Sequence, residues 1–219
     1  PGATDIKSII HDDNNAGTLL VAIEAATDKI LKTTNAGASW VITADGLSFS
    51  FFGIPMTPDP SHPDTIYTMS GSNFMRSTDF GNTWTTLTSS VGCATPCDIE
   101  VFPDTSIILI GDNGTGIFRS TDYGLTWSQA HNTSGEIPTV SVDFQNADVP
   151  WATRCGGSGG MLKSTKLGQT RTLVPFFGSI NMWGVYIQPT DGNIILANSY
   201  STSPGSWRSI DAGQSWTPI

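Results

Sequence analysis

Ser120-Thr121-Asp122-Tyr123-Gly124-Leu125-Thr126-Trp127 is the octapeptide that decides the fold, because the chain repeats it. The pattern recurs at Thr33-Thr34-Asn35-Ala36-Gly37-Ala38-Ser39-Trp40, Ser77-Thr78-Asp79-Phe80-Gly81-Asn82-Thr83-Trp84 and Ser209-Ile210-Asp211-Ala212-Gly213-Gln214-Ser215-Trp216. A worn copy stands at Ser164-Thr165-Lys166-Leu167-Gly168-Gln169-Thr170-Arg171. The third position falls at residues 35, 79, 122, 166 and 211, in steps of 43–45 residues through the whole chain. Self-similarity at such a period marks a repeat architecture.

Each residue type has a mechanical task. Asp or Asn accepts hydrogen bonds from the amides just ahead and fixes a tight turn. Gly two positions later takes a backbone conformation that a Cβ hinders. The Ser or Thr before the Trp bonds the turn again, and the Trp is expected to fold beneath it. Burying about 200 Å² of indole at ~25 cal/mol/Å² is worth on the order of 5 kcal/mol before entropy is subtracted. Asn35, Asp79, Asp122 and Asp211, with Trp40, Trp84, Trp127 and Trp216, are therefore read as structural.

Strand signals recur around each turn. In the second repeat Phe51–Met56 is apolar, residues 58–64 form a turn, and Thr65–Met69, Asn73–Ser77 and Trp84–Leu87 complete four strands. The third repeat offers Ile99–Phe102, Ser106–Ile110, Gly116–Arg119 and Trp127–Ala130. The fifth offers Gly184–Gln188, Asn193–Ala197, Ser206–Ser209 and Ser215–Ile219. Ile6–Ile10 and Thr139–Phe144 open the first and fourth. Four strands in about 44 residues make one β-propeller blade. The expected fold is all-β: a single propeller domain over 1–219, with blades at about 1–43, 44–88, 89–132, 133–177 and 178–219. Closure into one ring, by packing blade one on blade five, is expected slightly ahead of an open array.

The Ser-Thr-Asp-x-Gly-x-Thr-Trp turn between third and fourth strands resembles the Asp-box, or BNR repeat, of Asp-box β-propellers. That group includes sialidases, xyloglucan-active glycoside hydrolases, sortilin-type receptors and a photosystem II assembly factor. The lead-in Pro58-Asp59-Pro60-Ser61-His62-Pro63-Asp64-Thr65-Ile66-Tyr67 is most similar to the xyloglucanase-type repeat. The resemblance implies the fold; the group's activities differ too widely to imply one function.

Composition narrows the class. Sixteen of the nineteen acidic residues are Asp, and Gly (23) and Ser (24) far outnumber Lys (5), the bias of short strands and many turns. Net charge is −9 without a Lys/Arg cluster, so nucleic acid and anionic lipid are poor partners. No apolar run approaches the roughly 20 residues of a membrane helix. The start at Pro1 suggests a removed leader. The sequons at Asn113 and Asn132 are glycan acceptors if the chain is secreted, which is the expected localisation. Cys93 and Cys97 are expected to close a small disulfide loop, worth roughly 2 kcal/mol, leaving Cys155 a buried free thiol; a long-range bridge from Cys155 is the alternative.

Two rims result. The first-to-second turns carry Asp12, Asp13, Asp59, Asp64, Asp104, Asp148 and Asp191, read as solvated turn residues because their spacing is not that of a calcium loop. The inter-blade loops bring Phe49, Phe52, Phe176, Phe177, Trp183 and Tyr200 towards the other rim. Aromatic faces there suit sugar rings. Trp183, Tyr200, Phe52, Phe177 and Arg154 are the candidate binding residues. Glycoside hydrolysis needs two carboxylates facing across a cleft. Asp28, Asp45, Asp98, Asp112 and Glu136 lie on this rim, but no pair stands out, and no catalytic residue is assigned. Sialidase chemistry needs three clamping arginines and a Tyr nucleophile. Arg76, Arg119 and Arg208 instead occupy a recurrent position before the turns. His11, His62 and His131 show no paired spacing, so no metal or cofactor is expected. The leading functional reading is a secreted, non-catalytic binding or scaffold module for a glycan or a protein. The alternatives are a propeller unit of a polysaccharide-acting glycoside hydrolase and a self-associating subunit of an extracellular assembly.

Overall fold

The computed structural model describes residues 3–50, 53–93, 95–200 and 204–219. It consists of five four-stranded antiparallel sheets and one short 3-10 turn, Pro175–Phe177. Blade one holds β1 (Asp5–His11), β2 (Leu19–Glu24), β3 (Asp28–Thr33) and β4 (Val41–Leu47). Blade two holds β5 (Met56–Asp59), β6 (His62–Ser70), β7 (Asn73–Ser77) and β8 (Thr85–Thr88). Blade three is β9 (Pro96–Val101), β10 (Ile108–Asp112), β11 (Gly116–Ser120) and β12 (Ser128–His131). Blade four is β13 (Val140–Ser141), β14 (Trp151–Thr153), β15 (Met161–Thr165) and β16 (Thr170–Leu173). Blade five is β17 (Met182–Gln188), β18 (Asp191–Ser199), β19 (Ser206–Ser209) and β20 (Thr217–Pro218). Strand order in every sheet is sequential.

The octapeptide turn lies between third and fourth strands, as expected. The Ser77 hydroxyl donates to Asp79 Oδ1 (2.7 Å) and receives the Gly81 amide (2.8 Å). Asp79 then receives the Thr83 amide (2.9 Å) and hydroxyl (2.7 Å). Ser120, Asp122, Gly124 and Thr126 repeat this set, as do Ser209, Asp211, Gly213 and Ser215. In the first turn Thr33, Asn35, Gly37 and Ser39 take the same places. The chain passes through the left-handed region at Ala36, Phe80, Tyr123 and Ala212 (φ 49–56°) and then at the glycine (φ 73–88°). A second left-handed residue beside the first is tolerated by glycine without Cβ strain.

The worn fourth turn has no carboxylate. Thr165 and Thr170 share a hydroxyl–hydroxyl bond of 2.6 Å instead. Arg171, where the others have Trp, donates to the Gly168 carbonyl (2.6 Å), much as Trp127 Nε1 donates to the Gly124 carbonyl (3.1 Å). Burial lowers the Arg171 guanidinium to about 10, with Arg119 adding to the effect.

Alternation along the strands sends apolar side chains to both faces of each sheet, and consecutive blades stack on them. One apolar cluster joins blades one and two through Ile10, Leu20, Ile30, Met56 and Ile66. Others join two to three, three to four, and four to five. Among the described residues no apolar cluster joins blade five to blade one. Val21, Ile23 and Leu31, on the far face of blade one, cluster only with one another. The expected packing of blade one on blade five is therefore not found.

Four further expectations need correction. The tryptophans do not only close their own turns, as Trp127 Nε1 does at the Gly124 carbonyl, but also pack on the preceding blade. Trp127 lies edge-on to Phe74 at 4.9 Å, and Trp216 to Trp151 at 6.2 Å. Trp216 is buried, Trp84 and Trp127 are half-buried, and Trp40, in the first of the described blades, is 39% exposed. The first strand of blade two runs Met56–Asp59, later than expected, because Pro58 and Asp59 pair with Ile66 and His62 and tighten the turn to Pro60-Ser61. Cys93 and Cys97 are free thiols, both buried. Burial and nearby Asp112 push Cys93 up to about 12, and burial and Glu136 push Cys97 up as well. Cys97 Sγ faces Glu136 Oε1 at 3.5 Å rather than closing a disulfide. Cys155 is a free thiol too, but half-buried rather than buried.

Candidate functional site

Trp183 is the second residue of β17 and Tyr200 follows β18, so one hairpin carries both. Their ring centroids are 5.3 Å apart and the planes are inclined by 36°. Tyr200 is 67% exposed and Trp183 half-buried. The backbone beneath is tied across blades. The Trp183 carbonyl accepts the hydroxyls of Thr139 (2.9 Å) and Thr153 (3.0 Å) from blade four. The Tyr200 amide donates to the Asn181 carbonyl (2.9 Å), and Asn181 Oδ1 receives the Gly156 amide (3.0 Å). Arg154 joins the same junction: its carbonyl accepts the Met182 amide (2.9 Å). Its Nε is buried without a hydrogen-bond partner.

The other rim residues separate. Phe177 is not at the surface: it is 1% exposed, 5.4 Å from Trp207 and 4.9 Å from Trp216, and belongs to the core between blades four and five. Its burial keeps it out of reach of a ligand, contrary to its expected place on the binding rim. Its neighbour Phe176 is 51% exposed. A 3-10 turn places adjacent side chains on different sides, so only one of the two phenylalanines can face in. Phe52 lies outside the described residues. Asn113 and Asn132 are exposed.

The rim carboxylates are largely engaged in holding the fold. Asp28 accepts the amides of Ala25 and Phe49, and Asp45 pairs with Lys29. Asp112 is fully buried, receiving the Thr95 amide and the Thr115 hydroxyl. Asp98 receives the Ile99 and Val140 amides, both at 3.0 Å, and burial pushes its carboxyl up to about 7. Glu100 receives the Val142 amide at 3.1 Å, and burial pushes it up to about 8, Asp98 adding to it. Glu136 is raised by burial and His131 lowered, burial again leading and Arg171 and Arg154 following.

Asp98 and Glu100 were missed as a pair by sequence reading. They clamp first strand to first strand, blade three to blade four. The signal was Asp98-Ile99-Glu100-Val101: two acids on one face of a strand whose surroundings are apolar. Glu100 also lines an axial cavity of about 290 Å³ with Pro58, Ser141, Phe144 and Tyr186. On the opposite rim, Asp12, Asp59, Asp143 and Asp191 cap their turns through backbone amides. Among the described residues no group of His, Cys, Asp and Glu side chains is arranged to hold a metal ion.

The described geometry is that of a β-propeller chain, consistent with the Asp-box type. Comparison with known proteins agrees at the level of fold. A GH74 enzyme from Niastella koreensis superposes with a TM-score of 0.80 at 21% identity, covering 97% of this chain and 38% of that one. The GH74 xyloglucanase from Xanthomonas campestris gives 0.78 at 18% identity, covering 100% and 39%. YCF48 bound to D1 peptide gives 0.63 at 18% identity, covering 92% and 63%. The chain thus spans under two-fifths of the length of the two GH74 structures. No family model matches the sequence, and no curated protein does.

Proposed function

We propose that this chain is a polysaccharide-binding propeller unit of the glycoside-hydrolase kind, holding a glycan chain on the rim between blades four and five. The observation that carries the reading is the pair of exposed Tyr200 and half-buried Trp183, set 5.3 Å apart on a backbone anchored by Thr139 and Thr153. Paired aromatic faces on a rigid support stack on sugar rings at little entropic cost. The fold likeness to a xyloglucanase supports a plant-type β-glucan as ligand. Secretion is the setting in which such a ligand is met. The chain's contribution is binding: of the five rim carboxylates Asp28, Asp98 and Asp112 are held by backbone amides and Asp45 by Lys29, so they are engaged in the fold.

Affinity electrophoresis in gels containing xyloglucan tests this. The wild type is expected to be retarded, and Trp183→Ala/Tyr200→Ala to lose tenfold or more in affinity with an unchanged melting temperature. No release of reducing ends is expected from the chain alone. A wild type that migrates freely through xyloglucan and other β-glucans overturns the reading. A protein partner is the second reading, favoured by the likeness to a propeller bound to a peptide.

A further inference from the structure

Three of the four junctions between blades follow one rule, and the far face of blade five presents half of it. In each blade one cross-strand row faces the next blade: Ile10, Leu20, Lys32 and Val41 in blade one; Thr57, Tyr67, Arg76 and Thr85 in blade two. Glu100, Leu109, Arg119 and Ser128 form it in blade three, and Ser141, Trp151, Lys163 and Thr172 in blade four. The second member is buried, Leu20 0%, Tyr67 1%, Leu109 1% and Trp151 3%, and at three of the four junctions it lies under the next blade's turn, Phe74 taking that place between blades two and three. A Cβ on the turn glycine would meet Leu20 from Gly81, Leu109 from Gly168 and Trp151 from Gly213.

The third member is always a cation, and at three of the four junctions it latches the same atom. Lys32 Nζ donates to the Phe80 carbonyl (2.8 Å), Arg119 Nε to that of Leu167 (2.8 Å) and Lys163 Nζ to that of Ala212 (3.0 Å). These acceptors are left-handed residues of the next turn, whose twist points the carbonyl back at the preceding blade. At the remaining junction Arg76, on the same row as Tyr67, makes no such latch.

Blade five carries the row again as Tyr186, Leu196, Arg208 and Thr217. Here Leu196 is 40% exposed, Tyr186 56%, and Arg208 is exposed. A cleft of about 490 Å³ lies over Tyr186, Leu196 and Ile219. Blade one carries the matching half. Ile9, Val21, Leu31 and Ile42 form its outward row, with Ile9 and Ile42 exposed. A Cβ on Gly37 would meet only its own Trp40, and Ala36 offers the left-handed carbonyl.

We propose that the far face of blade five is an interface for the outward face of blade one of a second copy of this chain, with Arg208 donating to the partner copy's Ala36 carbonyl. The argument is continuity: the same row and a cation recur at all four junctions already present, and at three of them the cation latches the next blade's turn. The contact is head-to-tail, so it uses different surfaces on the two molecules and can propagate. It is independent of the glycan reading, since Trp183 and Tyr200 lie on the rim.

Sedimentation velocity over a concentration series tests this, using Arg208→Glu/Leu196→Asp for one face and Trp40→Ala/Ile42→Asp for the other. All these positions are exposed, and circular dichroism checks that both variants fold. The wild type is expected to gain mass with concentration, and each variant alone to stay monomeric. Mixed, the two are expected to form a 1:1 dimer through the one intact pair of faces. A wild type monomeric at every concentration overturns the proposal, and so does a mixture that stays monomeric.

Discussion

Trp216 lies edge-on to Trp151 and Phe177 and is 7% exposed, whereas Trp40 occupies the same place in the same turn and is 39% exposed. The turn itself is alike in both, so the difference comes from the blade in front. Large aromatic truncations in cores cost about 3–5 kcal/mol. Trp216→Ala is expected in that range by urea denaturation. Trp127→Ala should fall below it, since Trp127 is half-buried, though its loss also removes the bond to the Gly124 carbonyl. Trp40→Ala should cost under about 1 kcal/mol. Equal losses at all three positions would mean that the tryptophans act within their own turns. A hydrophobic residue's contribution is set by the area it loses to water, and that area is not written in the octapeptide.

At the scale of the element, blade four is where the repeat is thinnest. Its first strand has two residues and its second three, and its turn is closed by hydroxyls instead of a carboxylate. Fewer ladder bonds and a weaker staple lower the cost of local opening. Amides of β15 and β16 are expected to exchange faster than those of β11 and β12 in blade three; the reverse order would sink the idea. The worn Lys166 and Arg171 made this blade recognisable in the sequence. The five blades were legible because Asp, Gly and Trp recur for reasons internal to eight residues. The site was legible only in part. Trp183 and Tyr200 were readable as polar-flanked aromatics on one hairpin, but Phe176 and Phe177 are chemically alike and their sides are chosen by a 3-10 turn. Cys93 and Cys97 have the spacing of a loop disulfide, yet Glu136, from the next inter-blade loop, lies against Cys97. Contacts made across blades carry no local signal.

At the scale of the whole molecule, that cross-blade chemistry should show in the pH dependence of stability. Asp98 is enclosed between blades three and four and sits at about 7 in place of 3.8. Glu100 sits at about 8 in place of 4.5, but it keeps part of its surface open to the axial cavity, so Asp98 is the firmer of the two. A carboxyl raised in the native state holds a proton that the unfolded chain has released. Stability therefore falls as pH rises from about 4 towards 7 or 8, by about 1.4 kcal/mol per pH unit for each proton fully retained. His131, lowered in the native state, acts in the opposite sense below its ordinary value of 6.5. The turn carboxylates Asp79, Asp122 and Asp211 are lowered, chiefly by hydrogen bonds that outweigh burial at Asp79 and Asp122, so they withdraw stability only at acid pH. Between pH 6.5 and 8 the buried carboxyls of blade three thus act with little opposition. The melting temperature is expected to fall across that interval. From pH 5 to 7 Asp98→Asn should flatten the profile, because an amide keeps an oxygen for the Val140 or Ile99 amide and has no proton to lose. A wild-type melting temperature that rises from pH 6.5 to 8, or an Asp98→Asn profile parallel to the wild type's, would show that Asp98 is ionised in the native fold.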